Sequence, residues 1–211
     1  RDEWLAHLEA AAEETGYLEP LGTRHHAVFT DDTPTLLVTF ERADSLRATG
    51  RTALPDGLTL AQAQGWSHLG ILAEGETWFR DPAVYRYFDR LVDDAFFEDF
   101  DRVVFYGAGM GGYAACAFSV VAPGATVLAI TPRATLDPAR AGWDTRHRAQ
   151  RRLAFTDRYG YAPDMIEGAG RAFLIYDPLE REDAMHAALF ARPYVTPLPA
   201  RHFGAEIEPA L

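Results

Sequence analysis

The amino-acid sequence predicts a single α/β domain in which a mostly parallel central sheet is covered by helices on both faces. Two observations lead to this prediction. Beyond residue 102, nearly continuous apolar runs of strand length alternate with segments of helical periodicity, as expected for parallel strands buried on both faces. The chain, at 211 residues, is also long enough to bury a core without a disulfide or a metal. We therefore expect residues 1–211 to form one domain.

The start of the chain predicts one helix and two strands. Apolar residues recur at helical spacing between residues 3 and 15, and Gly16 is a candidate for the end of that helix. Strand-like runs follow at 26–29 and 35–40. Because the turn-forming sequence Thr-Asp-Asp-Thr-Pro separates these runs, we expect the two strands to pair as a hairpin.

The next part of the chain predicts a loop, a strand and a helix. The segment 42–66 is polar and contains several glycines and a proline, so we expect a long loop with one short helix at about 60–64. A strand is expected at 68–72. Asp81 and Pro82 are typical of a helix start, and apolar residues then recur three and four positions apart. The acidic residues of this helix fall largely off its apolar face, so we interpret them as solvated surface rather than as metal ligands.

The second half of the chain predicts a regular alternation of elements. In chain order we expect a strand at 102–106, a glycine-rich turn at 107–112, a helix at 113–121, strands at 126–130 and 172–176, a helix at about 181–190 and a strand at 194–198. The intervening segment 133–170 is a candidate for a small cap. Because ligands of such sheets bind beyond the carboxyl ends of the strands, functional residues are expected there.

Composition and charge exclude several classes of protein. Twenty basic residues against 31 acidic residues give a net charge of −11, which argues against nucleic-acid binding. The single cysteine, Cys116, excludes an internal disulfide and a multi-cysteine metal centre, and is expected in the core. No apolar run approaches the roughly 18 residues of a membrane span, so we expect a soluble, cytoplasmic protein. The arginines within 146–152 are interpreted as the solvated face of a helix rather than as an anion site.

The most informative segment is the turn at 107–112, Gly-Ala-Gly-Met-Gly-Gly, between a buried strand and a helix. Its glycines indicate a backbone that turns too sharply, or packs too closely, for side chains. One interpretation is the dinucleotide fingerprint GxGxxG, formed by Gly107, Gly109 and Gly112. An acidic residue is expected about 20 positions further on, but Arg133 lies in that region and could contact the 2′-phosphate of NADP. An NADP-binding reductase is therefore one alternative function.

The second interpretation is the nucleophile elbow GxSxG, in which a strained strand-to-helix turn lifts a side chain above the sheet. Residues 107–111 fit this frame with Gly109 in the serine position. Here the chain resembles the α/β-hydrolase superfamily, especially small bacterial members whose elbow reads YGxSMGGYAA, from about residue 24 to the end. The resemblance implies an esterase-like or acyl-transfer fold that needs no cofactor or metal and takes an acyl substrate or another small-molecule ligand.

The resemblance also implies residue roles. Asp177 ends a late strand where the superfamily places its triad acid, with Asp183 as the alternative, and His202 follows the final strand at the position of the triad histidine.

The implied oxyanion-hole donors are the backbone N–H of Met110, at the turn with Gly111, and one near Glu41. No catalytic role is expected for His186 or for the pair at 25–26. His186 is interpreted as surface or packing, and the pair at 25–26 lacks a partner at metal-ligand spacing.

The departure from the superfamily pattern decides the functional expectation. Gly109 offers no hydroxyl for a histidine to deprotonate, and the thioether of Met110 cannot replace it. The sequence thus predicts a catalytically impaired enzyme or a ligand-binding pseudoenzyme, whose serine was lost naturally or replaced to trap a substrate. A non-catalytic interaction module is the third alternative, and the oligomeric state is left open.

Overall fold

The computed structural model describes residues 2–50 and 52–205. Its strands, in chain order, are β1 Gly16–Leu21, β2 His25–Thr30, β3 Thr35–Arg42, β4 Ser67–Ala73, β5 Arg102–Ala108, β6 Thr126–Ile130, β7 Arg171–Tyr176 and β8 Val195–Pro199. They form one mostly parallel sheet in the order β1-β2-β4-β3-β5-β6-β7-β8. The predicted α/β class is confirmed.

Helices surround the sheet. In chain order they are α1 Glu3–Ala12, α2 Ala43–Thr49, α3 Asp56–Gln64, α4 Pro82–Asp93, α5 Met110–Phe118, α6 Pro138–Ala141, α7 Ala162–Met165 and α8 Arg181–Leu189. Within the described residues, no helix combines the length and apolarity that crossing a bilayer requires. The chain divides into two compact units with the boundary after Val104, inside β5, and the expectation of one domain over 1–211 stays a prediction.

Helix α1 packs on the core of the first unit through the apolar face that the sequence predicts. Trp4, Leu8 and Ala12 are buried, and the indole N–H of Trp4 donates to the Ala53 carbonyl over 2.7 Å. The cluster that these side chains join also contains Val28, Ala43, Leu46, Leu58 and Leu72. The helix is therefore held mainly by burial of one amphipathic stripe.

The predicted hairpin between 26–29 and 35–40 is wrong. β2 pairs antiparallel with the unpredicted strand β1 and with β4, whereas β3 pairs parallel with β4. Gly16 begins β1 and is not the helix end, since α1 ends at Ala12. Position 16 requires glycine because a Cβ there would lie 1.7 Å from the Phe29 carbonyl oxygen. The actual β1–β2 connection contains Gly22, whose φ of 67° suits glycine in a tight turn.

The long loop expected at 42–66 is largely helical, since it contains α2 and α3. The start of α3 has no local side-chain cap, because Pro55 occupies the capping position. The Glu41 carboxylate replaces that cap by accepting hydrogen bonds from the backbone N–H groups of Asp56, over 2.8 Å, and Gly57, over 3.0 Å. The acceptor comes from a strand fifteen positions earlier in the chain, so a local pattern could not reveal it.

Helix α4 begins as the sequence predicts. The Asp81 carboxylate accepts a hydrogen bond of 2.8 Å from the backbone N–H of Ala83, and Pro82 occupies the first helical position. The buried face contains Val84, Tyr85, Tyr87, Phe88 and Leu91. This helix covers the first unit with its apolar side, and its carboxylates lie off that side.

The second unit is built around three parallel strands and the almost fully buried helix α5. β6 pairs with β7, and β7 pairs with β8. Part of the segment 133–170 packs on α5: the Tyr113 hydroxyl lies 3.1 Å from the carbonyl oxygen of Tyr159, and the rings of Phe118 and Tyr159 are 4.7 Å apart. The predicted role of this segment as a cap stays a prediction.

The last strand, β8, lies at the end of the strand order and contains Pro197 and Pro199. Ala200 donates its backbone N–H to the Tyr176 carbonyl of β7 over 2.8 Å. Because alternate residues of a strand point their amides to opposite sides, positions 197 and 199 face away from β7. The prolines thus stand where no ladder hydrogen bond is lost.

The core of the first unit yields a matched pair of substitutions in α3. Leu58 is fully buried, whereas Leu60 is 43% exposed. We expect Leu58→Ala to lower the free energy of unfolding by about 3 kcal/mol through lost burial and the cavity left behind. Leu60→Ala should change it by less than about 0.5 kcal/mol. Urea unfolding followed by circular dichroism measures both, and equal losses would contradict the packing described for α3.

Candidate functional site

The glycine-rich turn joins β5 directly to α5. Gly109 is the residue between the two elements, with φ 55° and ψ −115°, and α5 begins at Met110, three residues earlier than predicted. The Gly109 N–H donates to the Ile130 carbonyl over 2.9 Å, and its own carbonyl accepts from the Tyr113 N–H over 3.0 Å. This residue therefore completes both the strand and the helix in a conformation that L side chains rarely adopt.

The glycines of this turn are needed for two different reasons. A Cβ on Gly107 would lie 2.3 Å from the Gly111 carbonyl oxygen, and one on Gly112 would lie 2.7 Å from the Ile130 carbonyl oxygen. These two positions therefore lack room for a side chain. At Gly109 a Cβ would meet no heavy atom within 4 Å, so only the backbone conformation favours glycine there. A side chain at position 109 would project into open space.

Helix α5 starts at this turn with Met110 and Gly111. The first backbone N–H groups of a helix point out of its N-terminus and carry the positive end of its dipole. Developing negative charge on a carbonyl oxygen, or a carboxylate, is stabilised by such groups. The predicted oxyanion role of Met110 agrees with this position and stays a prediction.

Asp177 follows β7 and is buried, and the turn that contains His202 wraps around its carboxylate. The Asp177 oxygens accept hydrogen bonds from the backbone N–H groups of Leu179, over 2.9 Å, and Gly204, over 2.8 Å. Burial opposes ionisation of Asp177, but these bonds and one from the His202 backbone outweigh it and lower the pKa. The structure thus brings the predicted acid and the predicted histidine segment together.

His202 itself is exposed and has a φ of 69°. Its contact with Asp177 is made by the backbone, and its imidazole has no hydrogen-bond partner in the described part of the chain. The assignment of His202 as general base stays a prediction.

Asp183 does not fit its predicted role as the alternative acid. Its carboxylate is buried, with Oδ1 3.0 Å from Arg133 and 2.7 Å from Arg146. The interpretation of the arginines at 146–152 as solvated surface fails for Arg146, whose guanidinium bridges Asp183 and Asp144. Asp183 belongs to a buried ionic network, in which two guanidinium groups already bind its charge.

Arg133 is the second guanidinium of this network. Its side chain is buried, pairs with Asp183, lies 3.7 Å from Asp144 and donates to the Thr131 carbonyl over 2.8 Å. A guanidinium held in this way is not available to a 2′-phosphate, so the structure does not support the arginine contact that the NADP-binding alternative requires.

His186 completes the network and is a packing residue, one of the two roles that the sequence left open. Its Nδ1 accepts a hydrogen bond from the Ala134 N–H over 3.1 Å, so the proton lies on Nε2, which donates to Asp144 over 3.0 Å. Burial lowers the pKa of His186, against the opposing effect of Asp144. The pKa of Asp144 is also lowered, because hydrogen bonds from His186 and Arg146 outweigh its burial. Sequence reasoning missed this network because its members are spread from residue 133 to residue 186.

Glu41 belongs to the first unit, where its carboxylate caps α3 and accepts a hydrogen bond from the Thr39 hydroxyl over 3.1 Å. Burial raises the pKa of Glu41 despite these hydrogen bonds. The side chain therefore has a structural function, and the predicted donor near this residue stays a prediction.

The other candidate groups are structural. Cys116 is buried, and burial raises the pKa of its thiol, so the inert core role is confirmed. No cluster of metal-ligating side chains occurs among the described residues. His25 is buried, and its Nε2 lies 2.7 Å from the Thr77 hydroxyl. Burial lowers the pKa of His25 to about 4. Thr77 is followed in the chain by Trp78 and Phe79, which have positive φ values of 53° and 54°. No feature of the sequence predicted this strained turn.

Similarity to known proteins is found in structure and not in sequence. No protein-family model matches the chain, and no curated protein matches it in sequence. A chain of a glycosylation-associated protein complex from Streptococcus agalactiae is similar over 93% of this chain, at 14% identity and a TM-score of 0.57, although this chain spans only 44% of that one.

Two enzymes are similar over most of their length. The capsule O-acetyltransferase of Neisseria meningitidis serogroup A is 12% identical, with a TM-score of 0.55 over 92% of this chain and 89% of its own. A hyperthermophilic esterase from the archaeon Pyrobaculum calidifontis is 16% identical, with a TM-score of 0.53 over 99% of this chain and 84% of its own. The fold is therefore α/β-hydrolase-like, the fold used by these acyl-ester hydrolases and acetyltransferases.

The two kinds of glycine in the turn can be separated by substitution. Gly112→Ala should lower the free energy of unfolding by about 3 kcal/mol, because the added methyl group collides with the Ile130 carbonyl. Gly109→Ala adds a methyl group in open space and should cost only about 1 to 2 kcal/mol of backbone strain. Denaturant unfolding of both variants tests this order, and a larger loss at position 109 would contradict it.

The buried network predicts a pH-dependent loss of stability. Asp144→Asn removes one of two buried carboxylates and leaves two guanidinium groups with Asp183 alone, so we expect a loss of about 3 kcal/mol at pH 7. Because the pKa of Asp144 is lowered on folding, its contribution is present above the ordinary aspartate pKa of about 3.9 and declines as the pH falls below it. The difference between the parent and Asn variants should therefore shrink in acid.

Urea unfolding at pH 7 and near pH 3 measures this dependence. Asp164→Asn, at an exposed position of α7, is the matched control and should change stability by less than about 0.5 kcal/mol at either pH. A pH-independent loss in Asp144→Asn would show that packing, and not charge, accounts for the effect.

Proposed function

We propose that this protein is an α/β-hydrolase-like member of the acyl-ester hydrolase and acyl-transfer class that binds an acyl-type small molecule at the 109 turn without serine-based covalent catalysis. The observation that carries the proposal is Gly109: its backbone has the strained strand-to-helix geometry of a nucleophile elbow, and the space that a nucleophile would occupy is open. The geometry of the site is kept, and the reacting atom is missing.

The chemistry of the turn supports binding. Covalent acyl transfer needs a side-chain oxygen or sulfur that a histidine can deprotonate and that then attacks the acyl carbonyl carbon. Glycine supplies no such atom. The N–H groups at the start of α5, with Met110 and Gly111, are main-chain groups and do not depend on the identity of residue 109. They can bind a carbonyl or carboxylate oxygen of the ligand.

The remaining groups support a hydrolase ancestry of the site. In this proposal Asp177, held ionised by backbone N–H groups, is the acid, and His202, on the turn around it, is the base. An esterase or acetyltransferase would use them to activate a serine, as the similarity to such enzymes suggests. Here they would orient a ligand or a water molecule. We further propose that the protein acts in the cytoplasm.

The decisive experiment introduces a serine hydroxyl at position 109. We expect the unmodified chain to hydrolyse p-nitrophenyl acetate at the uncatalysed rate, because it has no nucleophile at the turn. Gly109→Ser should raise the rate by on the order of 10²-fold if Asp177 and His202 can serve the new hydroxyl. His202→Ala or Asp177→Asn in the Gly109→Ser background should abolish the gain.

Gly124→Ser is the matched control, because Gly124 also has a positive φ, 85°, and open space at its Cβ, but lies outside the turn. It should leave the rate unchanged. Brisk hydrolysis by the unmodified chain that survives His202→Ala would contradict the proposal, as would an equal gain in Gly124→Ser.

A further inference from the structure

The first unit contains an open cavity of about 760 Å³ that has no part in the proposed function. It is bounded by β1 and β2, the connection after β2, the end of α4 and the turn at 96–100. Small-molecule sites in proteins typically have volumes of about 300–1,000 Å³. The cavity is therefore large enough for a ligand of its own.

Aromatic rings form one wall of this cavity. Tyr17, Phe29, Phe96 and Phe100 are all half-buried, so each keeps part of its ring accessible. Phe96 packs edge-to-face on Phe29, with 5.2 Å between ring centroids, and on Phe100, with 5.3 Å. Because the rings hold one another in place, the wall is formed before any ligand arrives. Such faces attract cations through their quadrupole and apolar chains through burial.

Acidic residues form much of the remaining lining, together with Thr33, Pro34, Arg90 and Leu91. Five acidic side chains and one guanidinium face the cavity. Asp32, Asp94 and Asp99 are exposed and have no cationic partner in the described part of the chain. Asp94 also follows the last residue of α4 directly, where the helix dipole adds negative potential. The cavity therefore favours a positively charged ligand.

The chain itself shows how a cation is held at one end of the cavity. The Arg90 guanidinium donates to both carboxylate oxygens of Glu19, over 2.8 and 2.7 Å, and lies 5.2 Å from the centroid of the Tyr87 ring. A carboxylate and an aromatic face thus already bind one organic cation here. Beside it the same two kinds of group, Asp99 and Phe100 among them, line the open space.

The connection after β2 is also rigid. The Ser67 hydroxyl accepts hydrogen bonds from the backbone N–H groups of Asp32, over 2.8 Å, and Thr33, over 3.1 Å. It also lies 3.1 Å from the carboxylate of Asp31. A site held in this way loses little conformational entropy when it binds.

The carboxylates do not converge on one point. No group of three metal-ligating side chains able to hold an ion occurs among the described residues. Charges that are spread around an aromatic wall match an extended cation whose charges are separated by apolar linkers. We propose that this cavity binds a polyamine, with its ammonium groups on Asp32, Asp94 and Asp99 and its methylene chains on the phenylalanine rings.

Isothermal titration calorimetry with spermidine, on the full chain, tests the proposal. We expect saturable binding of one spermidine with a dissociation constant in the millimolar range or below. The double variant Asp32→Asn/Asp99→Asn should weaken it by about tenfold or more, because two ammonium contacts are lost. Phe100→Leu keeps apolar volume but removes a ring face, and should weaken binding by about threefold.

Asp93→Asn is the matched control, since Asp93 is exposed at the end of α4 but does not line the cavity. It removes one negative charge, as Asp99→Asn alone does, and should leave affinity within about twofold, whereas Asp99→Asn alone should weaken binding by about threefold or more. Butylamine, a monoamine, should bind far more weakly than spermidine. The proposal is overturned if spermidine shows no saturable binding at 10 mM, if Asp93→Asn weakens binding as much as Asp99→Asn, or if Mg²⁺ displaces spermidine at equal concentration, which would indicate a diffuse ion atmosphere.

Discussion

The hydrogen bonds of Gly109 tie a strand and a helix together at one residue. Its N–H still belongs to the sheet, through Ile130, while its carbonyl already belongs to the helix, through Tyr113. Gly109 makes both bonds with a positive φ of 55°, a conformation that other residues rarely adopt. The close approaches at Gly107 and Gly112 follow, because a helix that begins so abruptly lies directly against the strands. The N-terminus of α5 and the open space above it are consequences of the same constraint.

Much of the fold could be predicted from the sequence because the buried parallel strands carry their signal locally. The strand at 126–130 was predicted to the residue, and those at 102–108 and 171–176 to within two. The prediction of a hairpin was wrong because the turn-forming residues after residue 30 indicate a turn but do not determine which strand pairs with which. That turn is in fact fixed by Ser67, from a later strand. The helix predicted at about 60–64 lies inside α3, but its start at Asp56 was missed for a similar reason, because Glu41 caps it from a distance.

In the candidate site, too, features set by neighbouring residues were predictable and features set by distant residues were not. The strand-to-helix turn was predictable because its glycines lie within six residues. The roles of Gly109, Asp177 and His202, which follow the superfamily order along the chain, stay predictions. The choice against Asp183 was not predictable, because it depends on a buried pairing with Arg133, 50 positions earlier. A carboxylate on a helix looks the same in sequence whether it faces water or two guanidinium groups. Only the three-dimensional packing separates these cases.

The prolines of β8 also bear on how copies of this chain can meet. An exposed terminal strand offers a row of amide donors to any other strand that approaches, and many proteins must prevent this. In β8 the outward positions 197 and 199 have no amide hydrogen, so that row is interrupted twice within five residues. A second molecule that tried to continue the sheet along β8 would lose two hydrogen bonds. Self-association by strand addition, including fibril growth, is therefore disfavoured along this strand.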